Sequence, residues 1–139
     1  MKLLDIEAGP YRFVGRLEEA LAPRTCAWFL AQLPYTERII HVRWSGEGCW
    51  IPLGELRPDI PYENHTSYPA PGQFILYPGG ISEMEILLAY GGVQFASKVG
   101  QLAGNHFITI VEGAENLAKL GPMVLWEGAQ RVEFKLRQG

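Results

Sequence analysis

Sixteen glycines and ten prolines punctuate this 139-residue chain. The intervals between them suit short strands better than long helices. "LLDIEA" (Leu3 to Ala8) and "YRFVGRLEE" (Tyr11 to Glu19) read as strands on either side of a Gly9-Pro10 turn. In the second, Tyr11, Phe13, Gly15 and Leu17 alternate with Arg12, Val14, Arg16 and Glu18, a period of two. Pro23 suits the first turn of a helix, where its missing N–H costs nothing. Cys26, Phe29, Leu30 and Leu33 fall on one face of that helix, which Pro34 ends.

"ERIIHVRWSGEGCWIPLG" reads as a hairpin turning at Gly46-Glu47-Gly48. Ile40, Val42 and Trp44 share one side, and Ile39, His41, Arg43 and Ser45 the other. "RPDIPYENHTSYPAPG" (Arg57 to Gly72) reads as a long loop of a kind that usually carries function. "QFILYP", "EMEILLAYGG" and "NHFITIVEG" are strands; "AENLAKLG" is a short helix packing through Ala114, Leu117, Ala118 and Leu120. "PMVLWEG" and "QRVEFKLR" close the chain as strands. About eight strands and two helices in one domain, residues 1–139, predict a closed antiparallel eight-stranded β-barrel capped by two helices. Closure removes exposed strand edges, and each helix buries its apolar stripe over an open end.

Composition narrows the function classes. Hydrophobic residues make up 47 % and charged residues 19 %, a globular balance. A net charge of −3 and a pI near 5.6 argue against a nucleic-acid partner. The apolar runs are too short to span a bilayer. Asp5 and Glu7 interrupt any signal-peptide core, so the expected location is the cytoplasm, where Cys26 and Cys49 stay reduced. The three histidines show no metal-ligand spacing, and no phosphate-binding or dinucleotide motif is present, so neither metal nor cofactor is expected.

Glu85 is the most interesting carboxylate. Met84, Ile86, Leu88 and Tyr90 share one face of their strand; Glu83, Glu85, Leu87 and Ala89 share the other, mixed face. A half-covered glutamate there can act as an acid or base, and an exposed strand carboxylate opposite Arg43 is the plainer alternative. His106, at a strand entrance, shares the parity of Ile108 and Ile110 and is expected at the barrel interior, either titrating near neutrality or as a structural histidine. Asn105 beside it fits a turn equally well. The loop residues Glu63, Asn64, His65 and Tyr68 can supply polar groups to a pocket walled by Trp44, Trp50 and Tyr77.

Two further stretches carry a resemblance. "LAPRTCAWFLAQL" (Leu21 to Leu33) resembles the first-helix segment of cyclophilins, and "HFITIVEGAENLAKL" (His106 to Leu120) resembles their strand-to-helix passage. "YPAPGQFILYPGGISEMEILLAYGG" followed by "FASKVGQLAGNHF" looks like the small bacterial cyclophilin-like proteins, and among them an uncharacterised family known as a domain of unknown function. The resemblance runs from about Tyr11 onward and implies the same eight-stranded barrel. It also makes Arg43 the counterpart of the arginine with which cyclophilins assist rotation about an X–Pro bond. "CWIP" stands where the proline pocket's Phe-Met-x-Gln cluster belongs, and the stretch from Ser97 to Asn105 is too short for its tryptophan.

Three readings follow. The first is a barrel that binds, and in one version acts on, a small molecule through Glu85, His106 and Arg43, with His41, Trp50, Glu63, Asn64, Tyr68, Tyr77 and Asn105 as ligand contacts. The second is a peptidyl-prolyl isomerase or binder of short proline peptides. The third is a self-associating module, a homo-oligomer with Phe95 and Val93 as an exposed patch. None involves nucleic acid or membrane.

Overall fold

Apolar residues alternate along nearly every strand, and in the computed structural model the alternation closes on itself. The structure describes residues 1–138. Its elements are β1 (Leu3–Ala8), β2 (Tyr11–Leu17), α1 (Pro23–Gln32), β3 (Tyr35–His41), β4 (Gly46–Pro52), β5 (His65–Thr66), β6 (Gln73–Tyr77), β7 (Glu85–Val93), β8 (Ala96–Ser97), β9 (Gly100–Gln101), β10 (Gly104–Glu112), α2 (Leu117–Glu127) and β11 (Gln130–Leu136). The strands pair antiparallel in the order β2-β1-β11-β3-β4-β7-β6-β10, and β10 pairs back onto β2. The result is the closed eight-stranded barrel with two helices that the sequence predicts. β5 adds a short rung to β10. β8 and β9 form a separate hairpin.

The inward set includes Leu4, Ile6, Phe13, Ile39, Ile51, Phe74, Ile86 and Phe134. Phe29 of α1 plugs one end, with its ring edge-on to Tyr35, Phe107 and Phe134 at 5.1–5.6 Å. At the other end α2 buries Leu117, Leu120, Gly121 and Val124, the i, i+3, i+4, i+7 spacing of one helical face. Gly121 is required there, because a Cβ would collide with the ring of Tyr90.

Four local expectations are corrected. "PMVLWEG" is not a strand: α2 runs through Pro122 to Glu127, because the apolar stripe continues to Val124 and its burial outweighs one lost backbone hydrogen bond. Ala114 and Ala118 are exposed and do not belong to that packing side. The β3–β4 turn lies at residues 42–45, and Gly46 to Gly48 form an irregular start of β4. Phe95 and Val93 are buried, at 0 % and 9 % exposure. They join Ile75, Tyr77, Leu87, Ala89 and Leu102 in a second apolar cluster outside the barrel wall, so they offer no patch for self-association.

Candidate functional site

The outer wall across β3, β4, β7 and β6 carries Ile40, Trp50, Leu87 and Ile75 in one row, each paired in register with the next. One row along, Glu85 lies between Pro52 and Tyr77. The chain after β7 folds back over this wall and seats Phe95 and Leu102 on it. The cover stops short of Glu85. What remains open is a cleft of about 340 Å³.

Glu85 lies in the cleft lining, with Trp50, Ile40, Val42 and Trp44 as apolar walls. Ser82 and Glu83 form one lip; Arg43 of the β3–β4 turn and Ala96, Ser97 and Lys98 of the β8–β9 hairpin form the others. The hairpin is held by Ser45, whose hydroxyl donates to the Ala96 carbonyl and accepts from its N–H, both at 3.0 Å. The Tyr77 hydroxyl accepts from the N–H groups of Ile81 and Ser82 at 3.0 and 3.3 Å and so fixes the opposite lip.

Glu85 is 6 % exposed as a residue; its carboxyl oxygens reach the solvent of the cleft and, among the described residues, have no hydrogen-bond or ion-pair partner. Burial pushes it up to about 8, with help from the charge of Glu83. It is therefore mostly protonated at neutral pH and can give or take a proton there. The alternative of a surface ion pair with Arg43 is absent: Arg43 is exposed and forms no salt bridge among the described residues.

The sequence-predicted residues divide into three places. Glu85, Arg43, Trp50 and Trp44 meet at the cleft, with Tyr77 supporting it. His41 is elsewhere. Its register partner is the core residue Cys49, so it points into the α2 mouth, where Nε2 meets the Tyr90 hydroxyl at 2.7 Å and Nδ1 the Val42 carbonyl at 2.8 Å. In β3, Ile39 is the core residue, Ile40 and Val42 face the outer wall, and Arg43 sits in the turn that follows, not in a strand.

The third place is the outer side of β10. A register shift between His106 and Ile108 puts both Phe107 and Ile108 in the core. The bulge breaks the parity that assigned His106 to the interior. It pairs instead with the outward Ile75, and its Nε2 meets Thr109 Oγ1 at 2.8 Å. Thr109 gives its one hydroxyl proton to Glu18 at 2.5 Å, so His106 Nε2 is the donor to Thr109. Asn64 donates to the His106 carbonyl at 2.9 Å and approaches Nδ1 at 3.4 Å. Burial lowers the His106 pKa against the opposing pull of Glu18. Burial alone would raise Glu18, but hydrogen bonds from Thr109 and Arg16 hold it below the ordinary value.

Asn105 is fully buried on the same strand. Its side chain accepts from Glu63 N–H at 3.1 Å and donates to Thr25 Oγ1 and the Pro61 carbonyl at 3.1 and 3.0 Å. The Glu63 carboxylate accepts from both the N–H and the hydroxyl of Thr25 at 2.8 Å, capping the first turn of α1 from 38 residues away. These loop groups are occupied with each other. Tyr68 is 63 % exposed and lines neither cluster. His106 stands two strands across from Glu85 and two residues along, about 12 Å by strand spacing and rise, with Ile75 and Tyr77 buried between.

Sequence reasoning missed Lys98, Ser97, Ala96, Ser82 and Glu83 as cleft residues, and Glu18 and Thr109 as partners of His106. "SKVG" and "GGIS" carry no signal of their own; only the folding-back of the β8–β9 hairpin brings them to Glu85. Among the described residues no three His, Cys, Asp or Glu side chains converge as a metal site, and no helix is long and apolar enough to cross a membrane.

With this geometry in hand, a family model matches residues 4–136. The chain belongs to the family described as "Protein of unknown function (DUF3830)". No curated protein matches it in sequence. Two solved structures are similar in fold. One is McbB in complex with tryptophan, with a TM-score of 0.72 and 17 % identity; the match covers 98 % of this chain but 45 % of McbB, so the chain spans less than half that protein's length. The other is the hypothetical protein AF2241 from Archaeoglobus fulgidus, with a TM-score of 0.61 and 16 % identity, covering 96 % and 93 % of the two chains.

Proposed function

We propose that this member of the DUF3830 family binds a small molecule in the cleft over Glu85, with Glu85 as the proton-carrying anchor. The observation that carries this reading is a nearly buried carboxyl with no partner among the described residues, in a cleft walled by two tryptophans. A buried ionisable group costs folding free energy unless something compensates it, and functional sites are where such cost recurs. Aromatic walls with a few convergent polar groups are the usual composition of small-molecule sites. The structural neighbour McbB, 45 % of which matches this chain, is known in complex with tryptophan, which supports the same reading.

The test is a thermal-shift screen against small carboxylic acids, amides and heterocycles. Hits are expected to raise Tm for the native chain and to lose that effect in Glu85→Gln and Trp50→Ala. A screen in which nothing raises Tm overturns the reading.

Arg43 keeps a second reading in play, because it stands exposed on the lip of an apolar, aromatic cleft as the cyclophilin resemblance requires. A proline-peptide isomerisation assay separates the two. Turnover that falls on Arg43→Ala and survives Glu85→Gln supports prolyl isomerisation; the uncatalysed rate removes it.

A further inference from the structure

The charges around the cleft are sorted by element. The acidic groups, Glu83 and Glu85, both come from the segment leading into β7. The basic groups, Arg43 and Lys98, come from the β3–β4 turn and the β8–β9 turn, and both are exposed with no ion pair among the described residues. Trp44 and Trp50 line the same cleft, Trp44 beside Arg43 in the β3–β4 turn and Trp50 one row from Glu85. Glu85 is the buried charge-bearing group of this site, while Arg43, Lys98 and Glu83 are exposed on its lips, so the mouth carries two cations and one carboxylate.

We infer that the ligand class is the amphoteric one: a small molecule with a basic nitrogen that seats on Glu85, an aromatic or apolar body held against Trp44 and Trp50, and an anionic group that meets Arg43 and Lys98 at the mouth. This rests on the small-molecule reading above and deepens it. Three physical arguments select this class. The Glu85 carboxyl lacks a donor from the protein, and an ammonium or N–H supplies one. Indole faces attract both flat apolar bodies and cations. Arg43 and Lys98 oppose a purely cationic ligand, whereas a carboxylate or phosphate reaching them gains charge-assisted hydrogen bonds. A cleft of about 340 Å³ is near the lower end of ligand pockets, which suits a molecule of amino-acid size.

The seating of an ammonium group has a proton balance. Glu85 enters protonated below about 8 and must ionise to pair with the cation, so one proton leaves to solvent for each ligand bound. The other titratable or charged groups facing it are Tyr77 from β6, Glu83 from its own segment, Arg43 from the β3–β4 turn and Lys98 from the hairpin; β4 contributes only Pro52 and Trp50. Affinity for an amine therefore rises toward a limit of about tenfold per pH unit between roughly pH 5.5 and 7.5.

The experiment is calorimetric titration of the intact chain with three probes of one body: L-phenylalanine, phenethylamine and 3-phenylpropionate. The expected result is phenylalanine at least tenfold tighter than either partial probe. Its binding should strengthen with pH and release close to one proton, read from two buffers of different ionisation enthalpy. Glu85→Gln should weaken phenylalanine and phenethylamine and abolish the proton release. The double variant Arg43→Ala/Lys98→Ala, far from any folding contact, should weaken phenylalanine and 3-phenylpropionate and spare phenethylamine. If 3-phenylpropionate binds as tightly as phenylalanine and ignores Glu85→Gln, the ligand class is wrong while the cleft reading stands. If none of the probes binds and the wider screen is also blank, both fall.

Discussion

Two groups of polar side chains stand out in this barrel, and they differ in one respect. Around β10, Glu18, Thr109, His106, Asn64, Asn105, Glu63 and Thr25 satisfy one another through hydrogen bonds of 2.5–3.4 Å. Around the start of β7, Glu85 is buried as deeply and has no such partner. The β10 cluster is rich in the residue types from which catalytic sites are made, yet every member already holds a structural post. The β7 cluster is plain in sequence, two glutamates at alternate positions ahead of an apolar run. Burial without a protein partner separates a waiting site from a finished one more sharply than residue type does.

The contrast is broken most forcefully by removing Asn105. Asn105→Ala leaves the Glu63 N–H, the Pro61 carbonyl and Thr25 Oγ1 each short of a partner, and the capping of α1 by Glu63 loosens with them. A loss of about 2–4 kcal/mol is expected, measured by urea unfolding. An unchanged midpoint would mean that the network is idle and that Asn105 is kept for another purpose.

The next largest effect has the opposite sign. Glu85 has a folded pKa near 8, above its unfolded value, so the folded state holds a proton that the unfolded state has lost between those two values. Its contribution to stability is fully present below the ordinary glutamate range and is lost as pH rises through about 8, at about 1.4 kcal/mol per pH unit. Glu85→Gln, which cannot ionise, should therefore match the native chain near pH 5 and melt progressively higher than it as pH rises to 8. Parallel melting curves across that range would show that the carboxyl is solvated in the folded chain.

How much of this was legible in the sequence follows from what each signal reports. The strand alternation in "LLDIEA" and "EMEILLAYGG" reports which face is apolar, and it located Glu85 on a mixed face beside Leu87 and Ala89. It fails where both neighbours are apolar. Ile39 and Ile40 are interchangeable by pattern, and only the pairing of Ile40 with Trp50 decides that Ile39 is the core residue. The β10 bulge is equally silent, because "HFITIV" has no glycine or proline to mark it. Phe95 reads as exposed until the hairpin of residues 96–101 is known to fold back. The cleft is made by that long-range return, so its lips, Lys98 and Ser97 among them, could not be read from local pattern.

His106 sharpens the contrast at smaller scale. Its folded pKa lies below the ordinary histidine value, chiefly through burial. The unfolded chain thus binds more protons as the pH drops below about 6.5, and the stability that neutral His106 contributes is lost as pH falls through that region. Glu85 runs the other way over the same range. His106→Gln keeps a hydrogen-bonding side chain but removes the titration. It should flatten the acid-side fall, seen as a smaller drop in Tm between pH 7 and pH 5.5. A steeper drop in the variant would place the charged imidazole in a stabilising partnership with Glu18, contrary to the downward shift that burial imposes.

The smallest stability effect belongs to the lip of the cleft. Arg43 is exposed in a turn and holds no ion pair among the described residues, so truncating it removes no contact on which folding depends. Arg43→Ala is expected to shift unfolding by less than about 0.5 kcal/mol, within the noise of a denaturant titration. Asn105 and Arg43 then mark the two ends of the scale: a side chain whose whole hydrogen-bonding capacity serves the fold, and a long cationic one that serves it not at all. A substantial loss of stability in Arg43→Ala would mean that the guanidinium pairs in solution, with Glu83 and Glu85 the nearest acidic partners on the cleft. Glu85 would then be a partnered residue like those around β10, and the distinction between the two clusters would disappear.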